Sequence, residues 1–416
     1  MTNILDLNDY CLGTILKYLA TEDHVSFAQS CARFRQTLKD WSCTLYPQFE
    51  LSRHRHKDLD ALRAELKLCC IIGDVLRRLK LDIREVERNN VLCEGFTLQR
   101  LYELLKSMRN LEHCELKEES RFGALVPMSI RNVVEPFQFI ENSCAAFECL
   151  PNLQSVNVDC NMTSAKAYSL CKLQQVQQLS IYNQIAAEDL SRICGSNAKL
   201  RKLTLREIVG DISALATHCQ HLLEISLPIS SQCPSYAAIA HLPSLQRIII
   251  KGSTQSSPCA KTLELFAALA ANAHTTQLRS LILYPSLDAE ETSGLAKLHF
   301  LRELRCTFND AQCIEQLTAL QQLEDLYIML GRSHAGAEQL LSVLRSCKQL
   351  QRLHINSNLT MDFVLRALQQ LQAVRQPSEQ QPLQLYVTGL LHLCKEDAKI
   401  IDSAYCTLVD RAPWLR

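Results

Sequence analysis

One six-residue pattern recurs along the chain, with apolar residues at its first, fourth and sixth positions. Each occurrence is called a copy, and its positions are counted from the first apolar residue. Between residues 153 and 245, successive copies begin 23, 24, 22 and 23 residues apart. Because side chains alternate between two faces in extended chain, the fourth and sixth residues point to the same side. The pattern therefore predicts a series of short strands, each with one apolar face. The eleven clear copies are Leu76/Leu79/Leu81, Leu111/Cys114/Leu116, Leu153/Val156/Val158, Val176/Leu179/Ile181, Leu200/Leu203/Leu205, Leu222/Ile225/Leu227, Leu245/Ile248/Ile250, Leu278/Leu281/Leu283, Leu301/Leu304/Cys306, Leu323/Leu326/Ile328 and Leu350/Leu353/Ile355, and the two weaker ones are Tyr46/Phe49/Leu51 and Pro382/Leu385/Val387.

Each strand is followed by a polar turn and a return segment with helical spacing of apolar residues, most clearly at 262–270 and 337–344. A period of about 20 to 29 residues with one strand per copy is typical of leucine-rich repeats. A single copy cannot bury its own apolar residues, so stability requires the stacking of neighbours. The predicted fold class is α/β: a leucine-rich-repeat solenoid with parallel strands on the concave side and helices on the convex side.

The first 45 residues break this pattern and show helical spacing of apolar residues in two short segments, separated by Thr21-Glu22-Asp23. Asp23 is the predicted N-cap of the second segment, since its carboxylate can accept hydrogen bonds from unpaired backbone amides. The predicted domains are a small all-α head at 1–45, the repeat solenoid at 46–388 and a C-terminal cap at 389–416.

The head carries a series of residues at characteristic positions: Leu7-Asn8-Asp9-Tyr10, Leu12, Ile15-Leu16-Lys17-Tyr18-Leu19, Asp23, Phe27-Ala28, Cys31 and Arg33-Phe34-Arg35. This series resembles the F-box. The pattern of that family runs Leu-Pro-x-Glu, a helix ending in an aromatic-Leu pair, an acidic turn, and a hydrophobic helix with a Cys followed by Arg-aromatic-Arg. Asn8 stands where the family has proline, Tyr10 where it has glutamate, and His24 where it has an aliphatic residue.

The resemblance implies a partner for the head, the Skp adaptor, and through it the cullin of a ubiquitin ligase. It implies that apolar residues of the short helices form or support the docking surface. The residues implied in this way are Leu7, Leu12, Ile15, Leu16, Leu19, Cys31 and Phe34. A second interpretation is that the head is a helical cap shielding the first repeat, since the ends of a solenoid require a terminal unit with a polar face.

The third, fifth and seventh residues of each copy point away from the leucine core. In the first six clear copies they are mostly polar or charged, whereas aromatic, apolar and arginine side chains appear from Leu245 onward. Such residues are enriched in binding hot spots and at protein interfaces. The predicted substrate-binding residues are Ile249, Ile282, Tyr284, Arg305, Tyr327, Met329, Arg352, His354 and Tyr386. The alternative is that the tail after Thr388 folds back and covers this surface.

Composition narrows the choice of partners. The 44 basic and 44 acidic side chains cancel, which gives no electrostatic argument for nucleic acid or an anionic membrane as a partner. The 20 cysteines are scattered without C-x-x-C spacing, so we expect reduced thiols and no metal site. Cys69 and Cys70, with His54 and His56, are interpreted as ordinary helix-face residues. The absence of a secretory signal and of a long apolar run predicts a cytoplasmic or nuclear protein.

Two sequons for N-glycosylation begin at Asn161 and Asn358. Both asparagines hold the ninth position of their copies, as does Asn309. At that position a side-chain amide is predicted to bond the turning backbone and form an internal ladder.

The spacings that catalytic chemistry requires are missing. The sequence has no glycine-rich phosphate loop, no H-E-x-x-H pair and no G-x-S-x-G nucleophile elbow. The stretch at 331–334 is interpreted as a turn. We expect a protein that is not an enzyme and has no cofactor. The predicted function is that of the substrate-recognition subunit of an SCF (Skp-cullin-F-box) ubiquitin ligase, which binds a protein substrate for ubiquitin-dependent degradation. The alternative is a leucine-rich-repeat scaffold or binding module unconnected to ubiquitin.

Overall fold

The computed structural model describes residues 4–52, 59–83, 91–93, 95–118, 138–229, 232–252, 259–330, 336–356, 359–388 and 403–409. The chain divides into two compact units, Met1–Glu207 and Ile208–Arg416. Several interpretations made from the sequence concern positions outside the described residues, namely those of His54, His56 and Asn358, of the stretch 331–334, and of 389–402 and 410–416 in the predicted cap.

The head of the first unit is helical: a 3-10 turn (Ile4–Asp6), α1 (Asp9–Leu16), α2 (Thr21–Ser30) and α3 (Ala32–Leu45). The second helical segment of the sequence forms two helices, because Cys31 between them is extended (φ −158°, ψ 164°). The prediction that Asp23 is an N-cap is wrong, since α2 begins at Thr21 and its N-cap is Ala20. Asp23 lies in the first turn, where its carboxylate interacts favourably with the helix dipole.

The rest of the first unit alternates strands and helices: β1 (Phe49–Ser52), α4 (Leu59–Ile72), β2 (Arg78–Asp82), β3 (Val91–Cys93), β4 (Phe96–Thr97), α5 (Leu98–Ser107), β5 (His113–Lys117), α6 (Phe139–Phe147), β6 (Ser155–Asp159), α7 (Ser164–Cys171), β7 (Gln178–Ala186) and α8 (Ala187–Ser196). Strands β1, β2, β5, β6 and β7 are parallel neighbours in that order. Strands β3 and β4 form a separate antiparallel pair. The next strand, β8 (Lys202–Val209), spans the residue at which the first unit ends.

The second unit repeats the same alternation: α9 (Leu215–His218), β9 (Glu224–Pro228), a 3-10 helix (Ala237–His241), β10 (Arg247–Lys251), α10 (Cys259–Ala271), β11 (Ser280–Leu287), α11 (Ala289–Leu295), β12 (Glu303–Phe308), a 3-10 helix (Ala311–Ala319), β13 (Asp325–Leu330), α12 (Ala337–Ser346), β14 (Arg352–Asn356), α13 (Met361–Val374), β15 (Leu383–Val387) and β16 (Cys406–Leu408). Strands β9 to β16 are parallel neighbours in chain order. The last of them, β16, lies within the segment predicted as a C-terminal cap.

The core of each unit consists of the repeated apolar positions. In all eleven clear copies the first, fourth and sixth residues are buried. A slip of one residue in any strand would turn these side chains to the opposite face, so their burial fixes the register. With parallel strands in chain order, return helices and a helical head, the predicted fold class is confirmed: a leucine-rich-repeat solenoid with a small all-α head.

The predicted asparagine ladder is wrong at the two positions that the structure describes. Asn161 and Asn309 are exposed, and neither amide side chain forms a hydrogen bond within the described residues. The preceding residues, Cys160 and Phe308, are buried at the turn instead. Apolar packing therefore supports these turns. Within the described part of the chain, no helix is both long enough and apolar enough to cross a membrane.

Candidate functional site

One side chain, that of Arg33 on α3, holds the segment that precedes α1. Its guanidinium donates hydrogen bonds to the carbonyl oxygens of Leu5 and Leu7. It also forms an ion pair with Asp9, with 2.9 Å between Nη2 and Oδ1. Because these acceptors come from three positions, Arg33 fixes the path of the segment that carries Leu7, the first of the predicted adaptor-binding residues.

The seven predicted adaptor-binding residues fall into two groups in the structure. Three are buried within the head: Leu12, Leu16 and Phe34. Four keep partly exposed side chains: Leu7, Ile15, Leu19 and Cys31. The second group has surface to offer a partner directly, whereas the first group can only support that surface from beneath.

Sequence reasoning missed four large apolar residues that are exposed on the head: Ile4, Leu5, Tyr10 and Tyr18. The two tyrosines have exposed fractions of 72% and 85%. The exposure of Tyr10 could have been predicted from the sequence. It lies two positions before the buried Leu12 and therefore on the opposite face of the helix. These four side chains add apolar surface to the head that its own core does not cover.

A buried histidine joins three parts of the head. The Nε2 atom of His24 on α2 lies 2.7 Å from the carbonyl oxygen of Leu16, and Nδ1 forms a hydrogen bond with the hydroxyl of Tyr46, just after α3. Burial raises the pKa of Tyr46 to about 12, so its hydroxyl keeps the proton at neutral pH. The hydroxyl can therefore donate to Nδ1 while Nε2–H donates to the Leu16 carbonyl. His24 thus holds the helices together through polar contacts at a site where the F-box pattern has an aliphatic residue.

The strand face of the second unit consists of the third-, fifth- and seventh-position side chains on β9 to β15. Its parallel register places residues of equal position side by side: Arg305 opposite Tyr327, Tyr327 opposite His354, and His354 opposite Tyr386. The ring centroids of Tyr327 and His354 are 4.3 Å apart, as are those of His354 and Tyr386. The three rings form a continuous aromatic row, in the part of the chain where the sequence predicted a substrate site.

The predicted substrate-binding residues differ in how much surface they present. Ile282 and His354 are buried, and the ring of His354 packs between those of Tyr327 and Tyr386. Ile249, Arg305, Tyr327, Met329 and Tyr386 are partly exposed, and Arg352 is exposed. Tyr284 is 63% exposed and lies where the register of β11 shifts against β12. Seven of the nine residues are thus accessible among the described residues, whereas Ile282 and His354 offer little surface to a partner.

Ion pairs line the strand face beside the aromatic row. Arg247 contacts Glu303 at 2.8 Å and Glu224 at 3.8 Å. Arg305 contacts the same Glu303 at 3.4 Å. Arg352 donates two hydrogen bonds to the two carboxylate oxygens of Asp325, a forked geometry that only arginine provides. The strand face therefore combines flat aromatic surface with arginines that are already held in place.

The protonation states in the aromatic row follow from burial. Burial, together with the nearby charge of Arg305, lowers the pKa of His354 to about 4. Burial also raises the pKa of the Tyr327 hydroxyl. At neutral pH the rings of Tyr327 and His354 are therefore uncharged, and the positive charge beside them comes from arginines.

Among the described residues, no group of three or more His, Cys, Asp and Glu side chains is placed to hold a metal ion. Cys69, one of the residues considered from the sequence, is fully buried, and its burial raises the pKa of the thiol. A neutral buried thiol is a packing residue rather than a ligand.

Residues 4–45 match the family model of the F-box domain. The head is thus similar in sequence to the F-box domain. The match covers the head alone and does not extend into the repeats. No protein of curated function matches the chain. Among solved structures, the chain is similar to an internalin (inlF) from Listeria monocytogenes str. 4b F2365, with 14% sequence identity, 94% of each chain covered and a TM-score of 0.40.

Two departures of the head from the F-box pattern have local structural roles. Asn8, which replaces the proline, is the N-cap of α1, and its side chain accepts a hydrogen bond of 2.8 Å from the backbone amide of Cys11. Tyr10, which replaces the glutamate, has its ring centroid 6.1 Å from that of Trp41 on α3. The start of α1 is thus stabilised without proline, and an aromatic ring occupies the place of a carboxylate.

A close approach inside the F-box domain gives a testable prediction. A Cβ atom added at Gly13 would lie 1.9 Å from the ring of Trp41. We expect Gly13→Ala to displace the indole and to lower the free energy of unfolding by about 1 to 3 kcal/mol through overpacking. Urea denaturation followed by tryptophan fluorescence measures both effects. Gly252→Ala is the control, because a Cβ there would meet nothing within 4 Å; equal behaviour of the two variants would contradict the packing argument.

Proposed function

We propose that this chain is the substrate-recognition subunit of an SCF-type ubiquitin ligase. In this proposal the F-box domain binds the Skp adaptor and, through it, cullin. The strand face of the second unit binds a protein substrate, which is then ubiquitinated for degradation. The chain itself performs no chemistry, and its contribution to catalysis is to raise the effective concentration of the substrate at another protein's active site.

The observation that carries the proposal is the F-box domain with apolar surface left uncovered. The match at 4–45 coincides with α1 to α3, and large side chains on this small domain remain exposed or half-exposed. A domain of this size buries little core, so a partner that covers the apolar surface would stabilise it. The repeat fold supports the second half of the proposal, since stacked repeats present extended surfaces that bind proteins.

One observation favours the second candidate function, a repeat scaffold whose head serves as a cap. Helices α2 and α3 pack on α4, the first helix after β1, and Lys39 of α3 contacts Asp74 at 2.7 Å. The head thus covers the start of the repeats within the first unit. A cap requires only the face of the head that packs on α4. An adaptor-binding domain also requires a second face that stays uncovered.

Co-purification with the Skp adaptor separates the two functions. We expect the wild-type chain to form a stable complex, and Ile15→Asp or Leu19→Asp to weaken it by a factor of about 100 or more, because a carboxylate would be buried without a partner in the interface. The measurement is the amount of adaptor retained on immobilised chain, followed by titration. Absence of a wild-type complex would refute the ligase proposal.

The controls exclude unfolding and nonspecific charge effects. Leu365→Asp introduces the same carboxylate at a leucine of α13 that is 43% exposed, and it should leave adaptor binding unchanged. Circular dichroism and the thermal midpoint of each variant show whether the head is still folded. If Ile15→Asp and Leu19→Asp fold normally and still bind the adaptor, the docking surface lies elsewhere.

A further inference from the structure

A small cavity on the strand face of the second unit brings together side chains of both charges. Its lining includes the guanidinium groups of Arg247, Arg305 and Arg352, the carboxylates of Glu303 and Asp325, and the ring of Tyr327. The cavity therefore contains one more cation than anion. Outside the cavity, the strand face carries one further carboxylate, Glu224, which contacts Arg247, and one further cation, Lys251. The whole strand face therefore has four cations and three carboxylates, the same excess of one positive charge.

The arginines in this cavity are oriented but still accessible. Glu303 is shared between Arg247 at 2.8 Å and Arg305 at 3.4 Å, and Asp325 holds Arg352 by two hydrogen bonds. The side chain of Arg305 is 25% exposed and those of the other two arginines are more than 40% exposed. An incoming carboxylate could therefore use donors whose side chains are already ordered, which reduces the entropy lost on binding.

The aromatic row continues directly from the arginine at the centre of this cavity. Tyr327, His354 and Tyr386 follow Arg305 in the register of neighbouring strands. With its neutral imidazole packed between two phenols, the row adds flat, largely apolar surface and no further cation. The site therefore offers a place for a single negative charge beside a place for an apolar or aromatic side chain.

We propose that this site binds an acidic peptide segment in which one aspartate or glutamate lies two positions from an aromatic or large aliphatic residue. The proposal rests on the proposed function, because the segment would belong to the protein substrate. The spacing follows from the strand geometry: the step from Arg305 to the midpoint between the Tyr327 and His354 strand positions is about one and a half inter-strand spacings, or ~7 Å, and residues two apart in an extended peptide are also separated by ~7 Å.

The charge balance favours a carboxylate over a phosphate group. A carboxylate carries one charge and matches the planar fork of an arginine. A phosphorylated side chain would bring close to two negative charges next to Glu303 and Asp325, where they would be repelled. A single carboxylate neutralises the cavity, whereas a phosphate would leave it with a net negative charge.

The test uses synthetic peptides and the full chain. The probe is fluorescein-labelled Ser-Gly-Glu-Ser-Phe-Gly-Ser, together with the version in which the order of Glu and Phe is reversed, and binding is measured by fluorescence polarisation. We expect at least one of the two to bind about 10 to 100 times more tightly than the same peptide with Gln in place of Glu, the range for loss of a charge-assisted hydrogen bond. A peptide with Glu and Phe adjacent should bind less tightly than the spaced one.

Variants of the chain locate the site. Arg305→Gln and Tyr327→Ala should each weaken binding at least tenfold. The matched controls are Arg206→Gln and Tyr182→Ala, which remove an arginine and a tyrosine from outward positions of β8 and β7 in the first unit and should have no effect. If the control variants lost as much peptide affinity as the site variants, the peptide would not bind in this cavity. The thermal midpoint of each variant shows that it is still folded.

Three further outcomes would overturn the proposal: no binding of either spaced peptide, equal binding of the Glu and Gln peptides, or tighter binding of a peptide with phosphoserine in place of Glu. Adaptor co-purification on the same preparation keeps this result separate from the proposed function. An adaptor complex without peptide binding overturns only the peptide specificity. Peptide binding without an adaptor complex overturns only the ligase proposal.

Discussion

Replacement of Lys166 by alanine is expected to lower the free energy of unfolding by about 3 to 5 kcal/mol at pH 7, because it leaves a buried carboxylate without its partner. Lys166 on α7 lies 2.9 Å from Glu118, just after β5, and the side chains are only 10% and 5% exposed. The ammonium also donates to the carbonyl oxygen of Asn161 at 3.2 Å. The pair thus joins the end of one strand to the return helix of the following copy.

The loss should depend on pH, with a sign set by Glu118. Burial raises the pKa of this carboxyl above its ordinary value, and Lys166 opposes the rise. A group whose pKa is raised by folding binds more protons in the folded state, so its contribution to stability is present at low pH and is lost as pH rises through the raised pKa. Without Lys166 the pKa rises further. The deficit of Lys166→Ala should therefore be largest near pH 7 and shrink as pH falls to the ordinary range of a glutamate.

Urea denaturation at several pH values between 4 and 7 measures this dependence. The control is Lys172→Ala, which removes an exposed partner of Glu148 (3.6 Å) just after the same helix and should cost about 0 to 1 kcal/mol. A second variant, Lys166→Ala with Glu118→Gln, should remove most of this pH dependence, because the residue at position 118 no longer ionises. A loss from Lys166→Ala that is constant across this pH range would contradict the electrostatic account.

The Lys166–Glu118 pair also illustrates what the sequence could not predict. The two residues are far apart in the chain. Glu118 stands in a charged run after a strand and Lys166 in a short helix, and each position, taken alone, is typical of a solvated surface. Their contact depends on how one return helix packs beside the preceding strand. Side-chain packing decides which polar residues of neighbouring copies contact each other. The repeat period alone does not predict these contacts.

The strands were predictable because their signal is local. Two-residue alternation and a recurring leucine place a strand without any knowledge of its neighbours, and stacked copies then pair at equal positions. Arg305, Tyr327, His354 and Tyr386 each hold the fifth position of their copy. Their order across the strand face could therefore be predicted from the sequence. The burial of His354 does not follow, since it depends on the size of the rings on both sides.

The head was harder to predict because helical spacing does not mark a break. The same apolar period fits one long helix or the two helices that meet at the extended Cys31. The Sγ atom of Cys31 accepts a hydrogen bond from the backbone amide of Phe34, so it caps α3. Cysteine is not among the usual capping residues, and capping rules alone would not select it. The contacts of Arg33 with the segment before α1 are likewise tertiary.

Leu203→Ala in β8 is expected to lower the free energy of unfolding by about 2 to 5 kcal/mol, through lost burial and the cavity left behind. Leu203 is fully buried and holds the fourth position of its copy, where the side chain points into the leucine core. Because each copy contacts only its neighbours, the surrounding copies cannot collapse around the cavity without losing their own register. If the strands stay rigid, the cavity stays open and the loss of unfolding free energy lies in the upper part of this range.

Urea denaturation of the purified chain at neutral pH measures this loss. Leu365→Ala is the matched control, since it removes the same atoms from a leucine that is 43% exposed on α13, and it should cost well under about 1 kcal/mol. A loss below about 1 kcal/mol for Leu203→Ala would contradict the inward assignment of that residue. It would also contradict the two-residue alternation of β8, in which Lys202 and Thr204 point outward only if Leu203 points inward.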